Sequence, residues 1–578
     1  MIKRLLPFLR GYQREAVLAP TMVALETVCE LILPLLMARI IDQGIAGGDI
    51  PVIFRMGAIM LVVAGVAMTG GVLAAKNAAF AAQGLGANLR RAEFEQVSAF
   101  SFADIDRFSS ASLITRITTD VTRIQDVVAQ SLRLLVRSGV MLVVSLIVAM
   151  TIQWKLALIF LCIIPVVAVA IGVLMKICVP LFRNMQQRID DLNETVQENL
   201  VGIRVVKSYV REDHDRGKFK RVNDNFTRAG LAAVMRIILM SPFMTLGISI
   251  TTVLILYIGG RMVLGGDLEI GLLSSLLNYV MMVLMSVMML AMCLLQYTRA
   301  KASAQRIFEV LDTTSDIQDG NLPALPPRTG AVEFRDVSFK YSAEGSGDDV
   351  LSHISFSARP GQVVAVIGGT GEGKSTLVNL IPRFYDVTAG TVLVDGADVR
   401  DFPLDELCQR VGMVPQTNFL FSGTIRENLL WGDEHATEEQ VIQAAKDAQA
   451  YDFIMSFPDG FDTHIEQGGV NVSGGQKQRL CIARAMLRRP SVLILDDSTS
   501  AVDSATEALI RASFHANLKH TTVFIIAQRI SSVRDADQII ILEDGEIGGI
   551  GTHDELMARN RIYQEIYYSQ LEGGVDHG

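Results

Sequence analysis

The stretch VVAVIGGTGEGKST, Val363–Thr376, opens on a short run of β-branched and apolar residues and leads into TLVNLI, a segment that favours a helix. Between them Gly368, Gly369, Thr370, Gly371, Glu372, Gly373, Lys374, Ser375 and Thr376 satisfy the pattern G-x4-G-K-S. Strand, glycine loop and helix in that order make an anion cradle. Glycines let backbone amides wrap phosphates, the Lys374 ammonium meets the β/γ charge, and the Ser375 hydroxyl is a ligand for Mg2+. Glu372 is the odd member: an acid in a loop meant for anions, its side chain expected to turn away from the phosphates.

Three stretches downstream belong with this loop. MVPQ ends a strand on Gln416, and NVSGGQKQR places Ser473, Gly474, Gly475 and Gln476 at the start of an amphipathic helix. A hydroxyl, bare glycine amides and a helix N-terminus together form a second anion site, suited to a γ-phosphate. LILDDSTSAVD, Leu493–Asp503, is an apolar strand that ends in two adjacent carboxylates, Asp496 and Asp497. Such a strand delivers an acid to a Mg-nucleotide.

Upstream the chain changes character at TSDIQDGNLPALPPRTG, Thr314–Gly330, where Pro, Gly and polar residues break every periodicity. We divide the sequence into a membrane domain over 1–315, a linker over 316–330 and an α/β domain over 331–578. Half of the 578 residues are hydrophobic, the mean hydropathy is +0.35, and the long uncharged runs all precede the linker. About 20 apolar residues cross a bilayer core. Val17–Ile41, Ile53–Ala75, Leu132–Ile152, Leu156–Pro180, Leu231–Leu264 and Ile270–Leu295 meet that length. The loops alternate between very short and very long, and the long ones, Lys76–Ser131 and Leu181–Gly230, carry most of the Arg and Lys. By the positive-inside tendency the long loops, both termini and the α/β domain are cytosolic. The long loops are helical in pattern, so the membrane helices are expected to run on beyond the lipid. Phe102–Val121 and Glu198–Asp213 are their turning points and the expected docking segments for the soluble domain. A net charge of -9 argues against nucleic acid as a partner, and six scattered cysteines suggest neither a disulfide framework nor a zinc site.

The order of Gly368–Thr376, Gln416, Ser473–Gln476, Asp496 and the Ser500-Ala501-Val502-Asp503 turn resembles the ATP-binding cassette (ABC) domain. With six spans fused in front, the whole chain is similar to ABC exporter half-transporters. The resemblance implies a multidomain fold: an all-α six-helix transmembrane domain followed by an α/β P-loop cassette. It implies that Tyr341 stacks on adenine, that Gln416 senses Mg2+ and meets loops of the membrane domain, and that Asp496 holds Mg2+ through water. Cassettes of this family pair, each ATP lying between one chain's P-loop and the other's SGGQ. Where the family has Glu after the Mg-binding Asp and a switch His after the next strand, this sequence has Asp497 and, in TVFIIAQRIS, Gln528. THIEQGG, Thr463–Gly469, departs as well from the family's T-x-V-G-E-x-G. Asp is shorter than Glu by one carbon–carbon bond, roughly 1.5 Å, and Gln takes up no proton. These substitutions predict a site that holds ATP and cleaves it slowly, and therefore a partner: a second, non-identical half-transporter whose own Glu and His are completed by this chain's SGGQ.

Two membrane features bear on cargo. Glu26 and Glu30 lie on one face near the middle of the first span, as a functional pair, as the structural partners of Arg133 or Arg137, or as acids exposed to water in a central cavity. Met281, Met285, Met288 and Met292 form a stripe on the last span, which suits either helix packing or a permissive apolar surface. The sequence therefore predicts a multi-pass plasma-membrane exporter of hydrophobic or amphipathic compounds, drugs or lipids, driven by ATP and Mg2+. An importer of the same fold, or an ATP-gated membrane regulator that transports nothing, are the rival readings.

Overall fold

The computed structural model describes residues 2–341, 349–497, 503–517 and 520–572. The chain forms two compact units, Met1–Ser98 with Ser110–Thr313, and Ala99–Ser109 with Thr314–Gly578.

The first unit is helical. Among the described residues six helices are long and apolar enough to cross a membrane: Gln13–Ile45, Ile50–Ser98, Ser110–Ile152, Trp154–Ser208, Glu212–Leu264 and Ile270–Asp312. The second is 49 residues long, roughly 75 Å at 1.5 Å per residue, more than twice a hydrocarbon core of about 30 Å. The helices thus continue through the segments that the sequence marks as long loops. In the first helix Pro34 removes a backbone donor, and side chains of the last helix seat on that turn. Tyr279 Oη donates to the Leu31 carbonyl at 2.6 Å and Ser275 Oγ to the Pro34 carbonyl at 2.7 Å. Arg137 joins the acidic pair: it donates to Glu26 at 2.9 Å and to both oxygens of Glu30 at 2.8 Å, so the two acids share one guanidinium. Arg133 is exposed. Met281, Met285 and Met292 of the methionine stripe are exposed, whereas Met288 packs on the buried helix core.

Beyond the membrane-length windows the same helices enclose charge. Asp120 is fully buried and accepts bonds from Ser303 Oγ at 2.8 Å and Arg306 Nε at 2.7 Å, and these bonds hold its carboxyl below its ordinary range despite burial. Nearby Glu93 is also fully buried, and neither carboxyl oxygen has a hydrogen-bond partner among the described residues. Burial, and then the Asp120 charge, push its pKa up to about 7, against the pull of Arg116 and Arg90.

The second unit is the α/β domain. Its strands are β1 (Val332–Phe339), β2 (Leu351–Ala358), β3 (Val363–Gly368), β4 (Ala389–Val394), β5 (Ala397–Asp398), β6 (Val411–Val414), β7 (Gly423–Thr424), β8 (His464–Ile465), β9 (Val492–Asp496), β10 (Thr522–Ile526), β11 (Gln538–Glu543) and β12 (Glu546–Gly551). A six-stranded sheet runs in the order β12-β11-β3-β10-β9-β6, and a four-stranded one in the order β2-β1-β4-β5. In the larger sheet β3, β6, β9, β10 and β11 pair in parallel. Their near-continuous Val, Ile and Leu runs are what a sheet covered on both faces requires. Because β3, β9 and β10 are neighbours, the ends of three sequence-distant strands open at one edge of the sheet.

Residues 99–109, although far upstream, pack with this unit. Ser101 caps the helix Phe102–Phe108 in a reciprocal box with Asp104. Tyr385 Oη then donates to Asp106 at 2.8 Å, and the Phe102 ring lies 4.4 Å from that of Phe384. The first expected docking segment is thereby part of the α/β unit over Phe102–Ser109. The tip of the second, by contrast, leaves Val201, Tyr209 and Val210 exposed.

Candidate nucleotide site

Buried strand β3 releases the chain into the glycine loop, where Gly371 and Gly373 adopt φ of 94° and 87°. At Gly373 a β-carbon would stand 2.8 Å from Leu351 Cδ2 and 3.0 Å from the Val350 carbonyl, so both conformation and space demand glycine there. Lys374 opens the following helix and folds back over the loop, donating to the carbonyls of Gly368, at 3.0 Å, and Gly369. Burial lowers the Lys374 pKa, while Glu372, Asp496 and Asp497 oppose that shift. The Glu372 carboxylate lies against the loop, with an oxygen 3.2 Å from where a β-carbon on Gly369 would be. Its charge there is balanced by the ammonium two residues on.

Ser375 Oγ donates to Asp496 Oδ1 at 3.0 Å, tying the loop to the end of β9. Asp496 is buried, and burial raises its pKa, with the Asp497 charge adding to the effect and Ser375 and Lys374 opposing it. Asp497 takes φ of 45°, and its amide donates to the Ile526 carbonyl of β10 at 3.1 Å. That bond brings the end of β10 alongside, and Gln528 Nε2 donates to Asp497 Oδ2 at 3.0 Å. The Asp497 pKa is raised by burial, against the pull of Lys374, Arg529 and the Gln528 amide. Tyr341, half exposed, bonds through its hydroxyl to Thr376 Oγ1 at 2.8 Å and sets its ring edge-on to Tyr385. Gln416 lies two residues beyond β6 and is exposed.

The structure thus gathers Tyr341, Gly368–Thr376, Asp496, Asp497 and Gln528 at one sheet edge. Ser473–Gln476 stand apart, and among the described residues no hydrogen bond links them to the glycine loop. Ser473 caps the helix Gly474–Leu487: its hydroxyl accepts from the Gln476 amide at 3.3 Å, and Gln476 Oε1 accepts from the Ser473 amide at 3.0 Å. The start of this 14-residue helix carries no acid in its first turn, which leaves its positive end for an anion. Ser500, Ala501 and Val502 lie outside the described residues, and Asp503 caps the next helix through the Thr506 amide at 2.9 Å. Asp106 lies in the expected docking segment Phe102–Val121, but nothing in the sequence singles out Tyr385. A lone Tyr beside a Phe carries no motif, and only the fold brings it to a residue 279 positions away.

Residues 17–288 match the ABC transporter transmembrane region family and residues 351–500 the ABC transporter family. An uncharacterised ABC transporter ATP-binding protein of Bacillus subtilis, YfiB, is 36% identical over 99% of both chains. The chain belongs to the ABC exporter family. The exporter is also 35% identical to an ATP-dependent lipid A-core flippase of Syntrophus aciditrophicus, over 85% of this chain and 82% of the flippase. It is 32% identical, over 99% of both, to a putative multidrug export ATP-binding/permease protein of B. subtilis, YgaD. The structure of a bacterial Atm1-family ABC exporter with ATP bound superposes with a TM-score of 0.80 at 25% identity, covering 96% of this chain and 98% of that one. This exporter is therefore a multi-pass membrane protein with a fused cassette that binds ATP and couples its hydrolysis to transport.

Proposed function

We propose that this exporter moves hydrophobic or amphipathic compounds, drugs or lipids, outward across the plasma membrane as one half of a heterodimer. Its own pocket holds ATP and cleaves it slowly, and its Ser473–Gln476 helix end completes the partner's faster pocket. The observation that carries this reading is the Asp497–Gln528 pair. A base must come within roughly 2.6–3.2 Å of the proton it removes. The Asp497 carboxylate stops one carbon–carbon bond short of where Glu would reach, about 1.5 Å. Gln528, which donates to one of that carboxylate's oxygens, is an amide and does not take up a proton as imidazole does.

The residues present fit a nucleotide-borne Mg2+. Ser375 Oγ and Asp496 Oδ1 are hard oxygen donors already 3.0 Å apart, and the family resemblance offers Gln416 as a third. When bound, the ion neutralises phosphate charge. Lys374 and the loop amides then hold the β- and γ-phosphates, Tyr341 offers its half-exposed ring to the base, and Asp497 orients water.

ATP binding closes paired cassettes because the nucleotide contacts both chains only in the closed state, so its differential affinity drives the change. The Phe102–Phe108 helix, held by Tyr385 and Phe384, would carry that movement to the spanning helices. The exposed apolar tip at Val201, Tyr209 and Val210 would seat on the partner's cassette. The long basic loops favour a cytosolic cassette and cytosolic termini.

The test is co-expression with a half-transporter from an adjacent reading frame that carries Glu and His at the two positions. The two should co-purify at one to one, and inverted vesicles holding both should take up a fluorescent amphiphile in an ATP-dependent way that Ser473→Arg in this chain abolishes. Full transport by vesicles containing this chain alone would overturn the pairing.

A further inference from the structure

The C-terminal helix Arg561–Glu572 reaches the loop that carries Gln528. Its inner face is set by residues three, four and seven apart: Tyr563, Ile566, Tyr567 and Gln570. Tyr563 is fully buried and its hydroxyl is 2.7 Å from His553 Nδ1, and Ile566 and Tyr567 pack on the cassette core. Two turns beyond that anchor, Gln570 spans the loop after β10. Its Oε1 accepts from the Ile530 amide at 2.9 Å, and its Nε2 donates to the Gln528 carbonyl at 2.8 Å.

These two backbone groups flank Arg529, past the end of the strand and at the start of the single 3₁₀ turn Ile530–Ser532, whose N-cap residue supplies no side-chain bond. Neither group has a strand or helix partner, and one carboxamide satisfies both. The far end of the turn is fixed separately, since Arg511 Nη1 donates to the Ser532 carbonyl at 3.0 Å. The loop is thereby clamped at both ends, and the residue at its near end is the one whose side chain holds Asp497.

We propose that Gln570 is a positioning residue for this chain's ATP pocket: the C-terminal helix, through the Gln570 carboxamide, fixes the backbone from Gln528 to Ile530 and so aims the Gln528 amide at Asp497. The inference rests on Asp497 and Gln528 being the hydrolytic pair. It makes the helix Arg561–Glu572 part of the ATP machinery, with Gln570 lying 42 residues along the chain from the group it orients.

Two readouts on the full chain in lipid nanodiscs test it. Without nucleotide, Gln570→Ala should speed amide exchange across 528–530 by roughly fivefold or more, the scale expected on losing one or two hydrogen bonds, and leave β10 protected. Gln570→Glu keeps the acceptor and should restore most protection at Ile530. Gln564→Ala removes a bond that Gln564 Nε2 makes to the Met557 carbonyl, without touching the loop, and should match wild type. With radiolabelled ATP in single turnover, Gln570→Ala should lower the cleavage rate several-fold and leave the ATP Kd within about twofold, a split that general loosening of the domain would not give. Unchanged exchange at 528–530 in Gln570→Ala overturns the proposal. Faster exchange with unchanged cleavage, while Asp497→Asn also cleaves normally, overturns instead the assignment of the hydrolytic pair.

Discussion

In the proposed reading, the one methylene that Asp497 lacks relative to Glu sets the speed of the pocket. The left-handed turn at φ 45° and the bond from its amide to Ile526 fix its backbone, so the shorter side chain has no freedom to advance. Nearby, Gly373 illustrates the opposite constraint, a position where no side chain fits. Gly373→Ala would force a β-carbon within 3.0 Å of a carbonyl at a φ of 87°. We expect that variant to lose about 1–3 kcal/mol of cassette stability and to bind ATP at least tenfold more weakly, measured by melting and by titration with a fluorescent ATP analogue. Wild-type affinity would show the loop to be more pliable than its contacts imply. These residues were legible in the sequence because phosphate chemistry admits so few side chains. The Gln528–Asp497 contact was not, since 31 positions separate them and only the parallel pairing of β9 with β10 makes them neighbours.

Among elements, the helices were read from hydropathy alone, and their continuations beyond the apolar runs from the lack of helix breakers. What they bury was less legible. Glu93 sits in a run of polar and charged residues that reads as a solvated face, yet the packing of Ile50–Ser98 against the segment around Asp120 encloses it. Its consequence is a pH dependence of defined sign. The folded carboxyl titrates near 7 against an ordinary 4.5, so between those values the folded protein binds more protons than the unfolded one. Stability is then lost as pH rises through that window. The gap corresponds to roughly 3 kcal/mol at most. Glu93→Gln removes the charge and should raise the melting temperature at pH 8 while changing it little at pH 5. An equal shift at both pH values would contradict a proton held on Glu93.

For the molecule as a whole, two units arise because one stretch of sequence satisfies its apolar surface with lipid-length helices and the other with a covered parallel sheet. The division was visible in the composition change near Thr314. That residues 99–109 pack with the cassette was foreshadowed by their place at a turning point, but their anchor, Tyr385, carried no signal. The proposed pairing with a different chain rests on the pocket's chemistry, and the sequence carries that proposal in two residues, Asp497 and Gln528. The most direct test is ATP turnover by the purified chain without any second subunit, compared with the Asp497→Glu/Gln528→His double variant. The expected result is that wild type binds ATP yet turns it over about 10²-fold more slowly than the double variant, within the range that general-base action supplies. Wild-type turnover as fast as that of the double variant, abolished by Asp497→Asn, would contradict the account.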